Sequence, residues 1–319
     1  MRREGQLLFG IGNGVLAGAF WGFVFLAPQL LPGFSSAQLS VARYLIYGAV
    51  ALLLLVPNWR VLLHLGKSEW LALVWLSLLG NILYYVLLGH AVQLAGGAVP
   101  SLIVGLLPVV ITFVGAREAG AVKLQRLILP MLLCCIGVGL IGYQAFQSGG
   151  PETDPTRKVI GFLCAFGALV SWSAYAVGNS RYLRRLPHIS AHDWSLLTGV
   201  VTGALAMGLG VFVFPMETAS HSQTDWLRFW GVSAGVAIFA SIVGNRLWNQ
   251  ASRLLPLTLT GQLIIFETLF ALLYSFLWEQ RLPTGLETMA ILCLVTGISW
   301  GASAHRTAPE APSASPAAS

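Results

Sequence analysis

The sequence predicts an all-α polytopic membrane protein whose ten transmembrane helices form two inverted five-helix repeats around a central cavity. Three observations predict this fold: the apolar composition, apolar runs of membrane-spanning length, and a similarity between the two halves of the chain. Of the 319 residues, 56% are hydrophobic and 9% are charged, whereas soluble domains average about 25% charged residues. A large soluble protein with buried helices is therefore disfavoured.

Ten apolar runs have the length of a membrane-spanning helix, which is about 20 residues. The first run follows Arg2 and Arg3 and has no small-residue cleavage site after it, so we expect a retained span and not a cleaved signal peptide. The predicted spans, numbered one to ten, are 8–27, 36–56, 70–90, 96–115, 126–146, 159–179, 193–214, 228–250, 257–278 and 284–302.

The segment GGPETDP at residues 149–155 divides the spans into two sets of five. We predict one five-helix repeat over 1–150, a second over 151–305, and a disordered tail over 306–319, which is rich in Pro, Ala and Ser. The stretch from Ala91 aligns without a gap with the stretch from Ala251. Because five is an odd number, the second repeat must cross the membrane in the opposite sense. Inverted repeats are a transporter architecture, with the site between the halves.

The distribution of Lys and Arg predicts the orientation of the chain. With the N-terminus inside, thirteen of the 18 basic residues fall in cytoplasmic loops and four fall outside, while Arg43 lies within a span. The positive-inside rule therefore places both termini on the cytoplasmic side of the membrane. We expect this membrane to be the bacterial inner (cytoplasmic) membrane. The net charge of +6 reflects these loops, so we expect the lipid bilayer as a partner and no nucleic acid.

Polar and aromatic residues recur at helical spacing in four spans, which predicts that one face of each span lines a common chamber. The alternatives are hydrogen bonds between helices, worth ~0.6 kcal/mol each, and interfacial anchoring of Trp and Tyr. Gln262 lies on a different face of its span from Glu267. The residues are Asn81, Tyr84 and Tyr85 in span three, Trp172, Tyr175 and Asn179 in span six, Ser241, Asn245, Trp248 and Asn249 in span eight, and Thr260, Glu267 and Tyr274 in span nine.

Arg43 and Glu267 are charged residues inside spans two and nine. A charge at the centre of a transmembrane helix costs ~2.5–3.5 kcal/mol on translocon scales, so such a residue usually faces a cavity or a partner. Glu267 is interpreted in three ways: it holds a substrate ammonium group, pairs with Arg43 to fix helix packing, or carries a coupling proton. Both charges could take part in substrate recognition if each half supplies one.

Four glycine pairs at four-residue spacing predict close packing of helices, as such pairs do in other membrane proteins. They are Gly18/Gly22, Gly199/Gly203, Gly231/Gly235 and Gly297/Gly301.

Several stretches resemble the EamA-type branch of the drug/metabolite transporter superfamily. They are Trp21 with Gly22 in span one, ARYLIYG around Arg43, LLGNILYYVLLGHAVQLAGGAVPSLIVGLLPVVITF across spans three and four, and NRLWNQASRLLPLTLTGQLIIFETLFALLYSFLWEQRL across spans eight and nine. Span six, with FLCAFGALVSWSAYAVGNSRYLRR, is similar to bacterial aromatic amino-acid exporters of the YddG type. This resemblance implies ten helices, two inverted repeats, a central cavity and metabolite export. The common Glu-Pro pair of the family is Glu267-Thr268 here.

We therefore expect an exporter of amino acids, including aromatic and other apolar ones, that works by alternating access. The alternatives are an exporter of drugs or other metabolites with the same fold, and a non-transporting receptor or assembly protein. The six histidines show no metal-ligand spacing and no hydrolase motif is present, so we expect no enzyme activity, cofactor or metal. The expected substrate-binding residues are Trp21, Arg43, Asn81, Tyr84, Trp172, Tyr175, Ser241, Asn245, Trp248, Asn249 and Glu267.

Overall fold

The computed structural model describes residues 2–95, 100, 103–115, 124–147, 155–215, 221–278 and 280–306, and within these ranges every regular element is a helix. The chain also has two π-helical segments, Leu78–Leu83 and Ala237–Gly244, and a 3₁₀ segment, Val56–His64. The α-helices are α1 (Arg2–Leu30), α2 (Ser36–Leu55), α3 (Lys67–Ser77), α4 (Tyr84–Ala95), α5 (Leu107–Gly115), α6 (Leu124–Gln147), α7 (Pro155–Arg185), α8 (Ala191–Val213), α9 (Gln223–Val236), α10 (Asn245–Leu254), α11 (Leu257–Leu263), α12 (Ile265–Trp278) and α13 (Gly285–Arg306).

The helices lie over all ten predicted spans. In the described part of the chain, seven helical segments are long and apolar enough to cross a membrane. Helices α6 and α13 contain shorter apolar stretches over spans five and ten. Span four is described at residue 100 and from residue 103 onward, where α5 covers its second half. The prediction of an all-α multi-pass membrane protein is confirmed.

Several helices begin at a serine that caps the free backbone N–H groups of the first turn. Ser35 accepts a hydrogen bond from the backbone N–H of Gln38, and the Gln38 side chain accepts one from the Ser35 N–H. Ser190 caps α8 through its side chain, which accepts a hydrogen bond from the backbone N–H of Asp193, so span seven also starts at a serine. Caps of this kind contribute about 0.5–2 kcal/mol and fix where a span starts.

The outer surface of the helix bundle is apolar. Leu53 is 70% exposed, and Leu163, Val211 and Leu277 are also exposed. Exposed apolar area of this extent would be unfavourable in water but suits the hydrocarbon core of a bilayer. The buried interior, in contrast, holds polar residues such as Asn81 and Asn245.

The helices pair between the two halves of the chain. Helices α2 and α8 (spans two and seven) pack together, as do α6 and α13 (spans five and ten) and α5 and α11 (spans four and nine). Helix α1 packs against α10 and α12, while α7 packs against α4 and α5. Each contact thus has a counterpart in the other half, which supports the proposal of repeats over 1–150 and 151–305. The boundary at 150 and the tail 307–319 lie outside the described residues.

Glycines permit the closest helix approaches. A Cβ at Gly18 would lie 2.8 Å from the backbone nitrogen of Glu267, and one at Gly203 would lie 2.7 Å from Cα of Gly48. These contacts confirm the packing prediction for Gly18 and Gly203. The prediction is wrong for Gly231 and Gly235, since no atom of the described neighbouring helices lies within 4 Å of a Cβ there. That face of α9 packs against none of them.

Candidate functional site

Four spans depart from regular α-helix, at corresponding places in the two halves. Spans three and eight contain the π-helical segments Leu78–Leu83 and Ala237–Gly244. Span four has a turn at 105–106, and span nine is interrupted at Ile264 between α11 and α12. Interrupted helices at matching positions mark the substrate site of many transporters, and π-helical turns frequently occur at functional sites.

Each π-helical segment accepts a hydrogen bond from the span that faces it in the other half. The indole N–H of Trp21, in α1, donates to the backbone carbonyl of Ala240 at 3.0 Å. The hydroxyl of Ser171, in α7, donates to the carbonyl of Leu79 at 2.7 Å. These crossed hydrogen bonds satisfy buried carbonyl groups and join spans one and six to the two segments that border the candidate site.

A cavity of about 20 Å³ lies between these spans, which is room for one or two water molecules. Eight of the eleven expected site residues line it, and three further lining residues, Val24, Tyr44 and Gly80, were not expected from the sequence. We call this cavity and its lining the chamber. The eight expected residues are Trp21, Arg43, Asn81, Tyr84, Trp172, Tyr175, Asn245 and Glu267.

Aromatic rings form one wall of the chamber, with Trp172 at its centre. The Trp172 ring lies 5.7 Å from Trp21 and 6.3 Å from Tyr84, measured between centroids, and 5.7 Å from Tyr175. Trp248 packs behind this wall, 5.1 Å from Trp21 and 5.7 Å from Trp172, and is not part of the lining. The flat faces of such rings bind apolar groups and cations.

The guanidinium of Arg43 is held by residues of spans two, three and eight. Its Nε donates to the hydroxyl of Ser241 at 2.9 Å, so Ser241 acts on the chamber through Arg43 and is absent from the lining. The guanidinium carbon lies 4.9 Å above the centre of the Tyr44 ring and 4.7 Å above that of Tyr85. Cation–π contacts of this kind are strongest where water is excluded, and Arg43 is only 6% exposed.

Glu267 lies in the first turn of α12, directly after the interruption at Ile264. Its side chain lines the chamber and is 6% exposed. The ion pair with Arg43, one of the three interpretations of Glu267, is not formed, because Arg43 binds Ser241 and the two tyrosine rings instead. Among the described residues, no side chain donates a hydrogen bond to the carboxylate. Both charges therefore border the same space without a charged partner.

Beside the chamber, a buried network connects spans six, seven and eight. Asn179 donates to the side-chain oxygen of Asn249 at 2.8 Å, and the indole of Trp194 donates to Asn179 at 2.9 Å. Asn179 therefore links Trp194 to Asn249, and Asn249 takes no part in the lining. Asn81, which does line the chamber, also donates to Thr202 at 3.1 Å.

In span nine, the prediction that Thr260, Glu267 and Tyr274 share one helix face is wrong. The interruption at Ile264 breaks the helical spacing on which that prediction rested. Only Glu267 lines the chamber, while the Tyr274 hydroxyl donates to the carbonyl of Ala19. The prediction that Gln262 lies elsewhere is confirmed, since it borders a separate apolar cavity of about 10 Å³ with Pro108 and Cys134.

Comparisons with known proteins identify the family of this fold. The family model described as "EamA-like transporter family" matches residues 159–300, which correspond to spans six to ten. The inner membrane protein YtfF of Escherichia coli (strain K12) is 32% identical over 320 residues, which cover 96% of this chain and 98% of YtfF. The chain belongs to the EamA-like transporter family.

Two further similarities concern a protein named as a transporter and a protein with the same fold. YyaM of Bacillus subtilis (strain 168), named as an uncharacterized transporter, is 24% identical over 81% of this chain and 82% of YyaM. A protein known from a crystal structure is 18% identical and superposes with a TM-score of 0.71, covering 93% of this chain and 97% of the other, which shows a shared fold. This EamA-like protein is a multi-pass membrane transporter. The names of YtfF and YyaM state no substrate.

Proposed function

We propose that this EamA-like transporter exports amino acids from the cytoplasm across the bacterial inner membrane, with a broad range tilted towards aromatic and other apolar side chains. One observation carries the proposal: the chamber lies between matching interruptions of the two halves and combines an aromatic wall with one buried arginine and one buried glutamate. An amino acid presents the complementary groups, an ammonium, a carboxylate and a side chain.

The aromatic wall supports the preference for aromatic substrates. Trp21, Trp172 and Tyr175 offer flat apolar faces to a Phe or Trp side chain. An aromatic pair adds ~0.5–1.5 kcal/mol beyond area burial, which is about a two- to twelvefold preference. The preference is modest, so smaller amino acids are transported as well. Asn81 and Asn245 supply both donors and acceptors for polar groups of the substrate.

The size of the chamber supports transport by alternating access. A volume of about 20 Å³ holds water and no amino acid, so the surrounding spans must separate to admit a substrate. The interrupted helices and π-helical segments are the places where the spans can bend with least loss of regular hydrogen bonding. The spans that meet there come from both halves, as rocking of one half against the other requires.

The proposed location rests on YtfF and on the charge distribution. YtfF is named an inner membrane protein, and the basic residues of this chain fall mostly in the loops that the orientation model places in the cytoplasm. Both termini are therefore proposed to lie on the cytoplasmic side.

Organic cations form a second candidate substrate class. A buried carboxylate beside aromatic faces is a known combination for binding cations, and Glu267 lies beside Tyr84 and Trp172 in the lining. Arg43 in the same chamber opposes this candidate, because its positive charge repels a cation.

Counterflow in proteoliposomes tests the proposed function. Vesicles containing the purified protein are loaded with unlabelled phenylalanine, and uptake of labelled phenylalanine, threonine, alanine and tetraphenylphosphonium is compared with that of empty liposomes. We expect uptake of all three amino acids, fastest for phenylalanine. In parallel, vesicles loaded with unlabelled tetraphenylphosphonium are tested for uptake of its labelled form. Counterflow of this cation without any amino-acid flux would favour the drug-exporter alternative, and absence of all flux would favour a non-transporting protein.

A further inference from the structure

The cation and the anion in the chamber come from different halves and are kept apart by the protein itself. Arg43 belongs to span two, and Glu267 belongs to span nine. A long, flexible arginine side chain beside a buried carboxylate would ordinarily pair with it. Here the Arg43 guanidinium is turned onto Ser241, Tyr44 and Tyr85. We call these three residues the arginine cradle.

The arginine cradle leaves part of the guanidinium available for a ligand. Ser241 occupies Nε, and the Tyr44 and Tyr85 rings, which lie nearly perpendicular to each other, both contact the guanidinium. The guanidinium also donates a hydrogen bond to the Tyr85 hydroxyl, and in the described part of the chain no carboxylate forms an ion pair with the two terminal nitrogens of Arg43. Their N–H groups form the planar fork that binds both oxygens of a carboxylate, and the cradle fixes the direction in which the fork points.

Glu267 offers the opposite group. Its carboxylate lines the same chamber, is nearly buried and accepts no side-chain hydrogen bond within the described ranges. A buried charge without a partner is costly, so each of these groups favours a ligand of opposite sign. A simple amine satisfies only Glu267, and a simple carboxylic acid satisfies only Arg43. A zwitterion satisfies both.

We propose that Arg43 binds the α-carboxylate and Glu267 the α-ammonium of the substrate, so that the transporter selects free amino acids over amines and carboxylic acids of the same shape. Ser241 and Tyr85 are positioning residues that hold Arg43 away from Glu267. The proposal rests on the proposed export of amino acids and defines the substrate class of that chamber. Two-point recognition also explains why both charges are retained in a site surrounded by aromatic rings.

Competition between analogues tests the selectivity. Exchange of labelled phenylalanine by the wild-type protein is measured against unlabelled phenylalanine, phenethylamine, which lacks the carboxylate, and 3-phenylpropanoate, which lacks the ammonium. A hydrogen bond to a charged group is worth about 10- to 150-fold in affinity. The concentration that inhibits exchange by half should therefore be about 10- to 150-fold higher for each analogue than for phenylalanine.

Two charge variants assign the ends of the substrate. Arg43→Gln should abolish the advantage of phenylalanine over phenethylamine, and Glu267→Gln should abolish its advantage over 3-phenylpropanoate. Arg246→Gln, which removes an exposed charge in α10, is the matched control. It should leave the half-inhibitory concentrations of phenylalanine and of both analogues unchanged. Where a variant exchanges too slowly, the same ligand series is read as ligand-induced shifts of the melting temperature of the purified protein.

A kinetic split tests the positioning role. Ser241→Ala should raise the KM for phenylalanine more than it lowers the maximal exchange rate, because the released Arg43 can turn towards Glu267. Ser241→Thr, which keeps the hydroxyl, should restore the KM. Tyr85→Phe keeps the ring and should raise the KM less than Tyr85→Leu, which should behave like Ser241→Ala.

The outcomes separate this inference from the proposed function. Equal inhibition by phenylalanine and both analogues, alongside normal phenylalanine exchange, would overturn two-point recognition and leave amino-acid export standing. Loss of maximal rate with unchanged KM in Ser241→Ala would overturn the positioning role. Absence of phenylalanine exchange by the wild-type protein would overturn the proposed function itself.

Discussion

The carboxylate of Glu267 lies between an aromatic wall and a guanidinium that is bound elsewhere. A glutamate with this environment contributes little to stability, because burial of its charge is not compensated by an ion pair. Its close approach to Gly18 in α1 fixes the backbone of α12 at this point. The side chain is thus free to serve ligand binding while the backbone maintains packing.

The substitution Glu267→Gln separates the structural interpretation from the functional ones. It removes the charge and keeps the volume, so we expect the melting temperature in detergent to stay equal or to rise, with reduced phenylalanine exchange. Breaking a buried ion pair would instead cost about 3–5 kcal/mol. A clear fall in melting temperature would therefore show that Glu267 is paired and structural. Loss of pH-driven flux with intact exchange would assign it to proton transfer.

The positions of the tryptophans predict different effects of two alanine substitutions. Trp172 lines the chamber, while Trp248 packs behind it. Trp172→Ala should reduce the preference for phenylalanine over alanine by about two- to twelvefold, since the lost contacts are made only by aromatic substrates. Trp248→Ala should slow all substrates alike. Trp59→Ala, at an exposed position, is the control. A reduced preference for phenylalanine in Trp248→Ala, with an unchanged preference in Trp172→Ala, would contradict this assignment.

At the scale of helices, the π-helical segments and their crossed hydrogen bonds distinguish this bundle from a regular one. Ser171 bonds across to Leu79, whereas Ser173, in the same helix, bonds to Leu169 of its own helix at 2.7 Å. The two serines therefore differ in whether they connect one half of the protein to the other.

Substituting each serine by alanine tests this difference. Ser171→Ala should lower the free energy of unfolding by about 0.5–1.5 kcal/mol, the net worth of a hydrogen bond, and should reduce the maximal exchange rate. Ser173→Ala should have a smaller effect on both, because it removes no bond between spans. Melting temperature and exchange rate are measured for both variants. Indistinguishable behaviour of the two would show that the cross-span bond has no special role.

Sequence reasoning located the spans but not their interruptions. Apolar length determines where a helix can cross, so the ends of α2 and α8 follow the predicted ranges and their serine caps. The π-helical segments LLGNIL and AIFASIVG contain no proline or other sequence signal of an interruption, and tertiary packing decides their geometry. Spacing rules for a regular helix therefore missed Gly80, and they placed Trp248 and Asn249 in the lining. Tyr44, in the regular helix α2, has no sequence signal beyond its position next to Arg43.

At the scale of the whole molecule, spans from both halves pack in corresponding pairs around the chamber. The orientation of the chain in the membrane determines the direction of the proposed export. Span two packs against span seven, span four against span nine, and span five against span ten. Such pairing supports two inverted repeats, but it does not determine which side faces the cytoplasm. The charge count makes that prediction.

Cysteine labelling in intact cells tests the orientation. A Cys introduced at Ser315, in the C-terminal tail, should resist a membrane-impermeant thiol reagent until the cells are permeabilised. A Cys at Thr224, which is exposed in α9 near the predicted outer side, should react in intact cells. The unmodified chain, whose four described cysteines are free, gives the background. The reverse labelling pattern would invert the orientation and the proposed direction of transport.

The most direct test of the central claim, that the chamber carries amino acids through its two opposite charges, is phenylalanine counterflow by the wild-type protein beside the double variant Arg43→Gln/Glu267→Gln. Both proteins are reconstituted at equal density, with melting temperatures showing that both are folded. We predict that the wild-type protein accumulates labelled phenylalanine well above empty liposomes and that the double variant stays at background. Equal accumulation by the two proteins, or none by the wild type, would contradict the account.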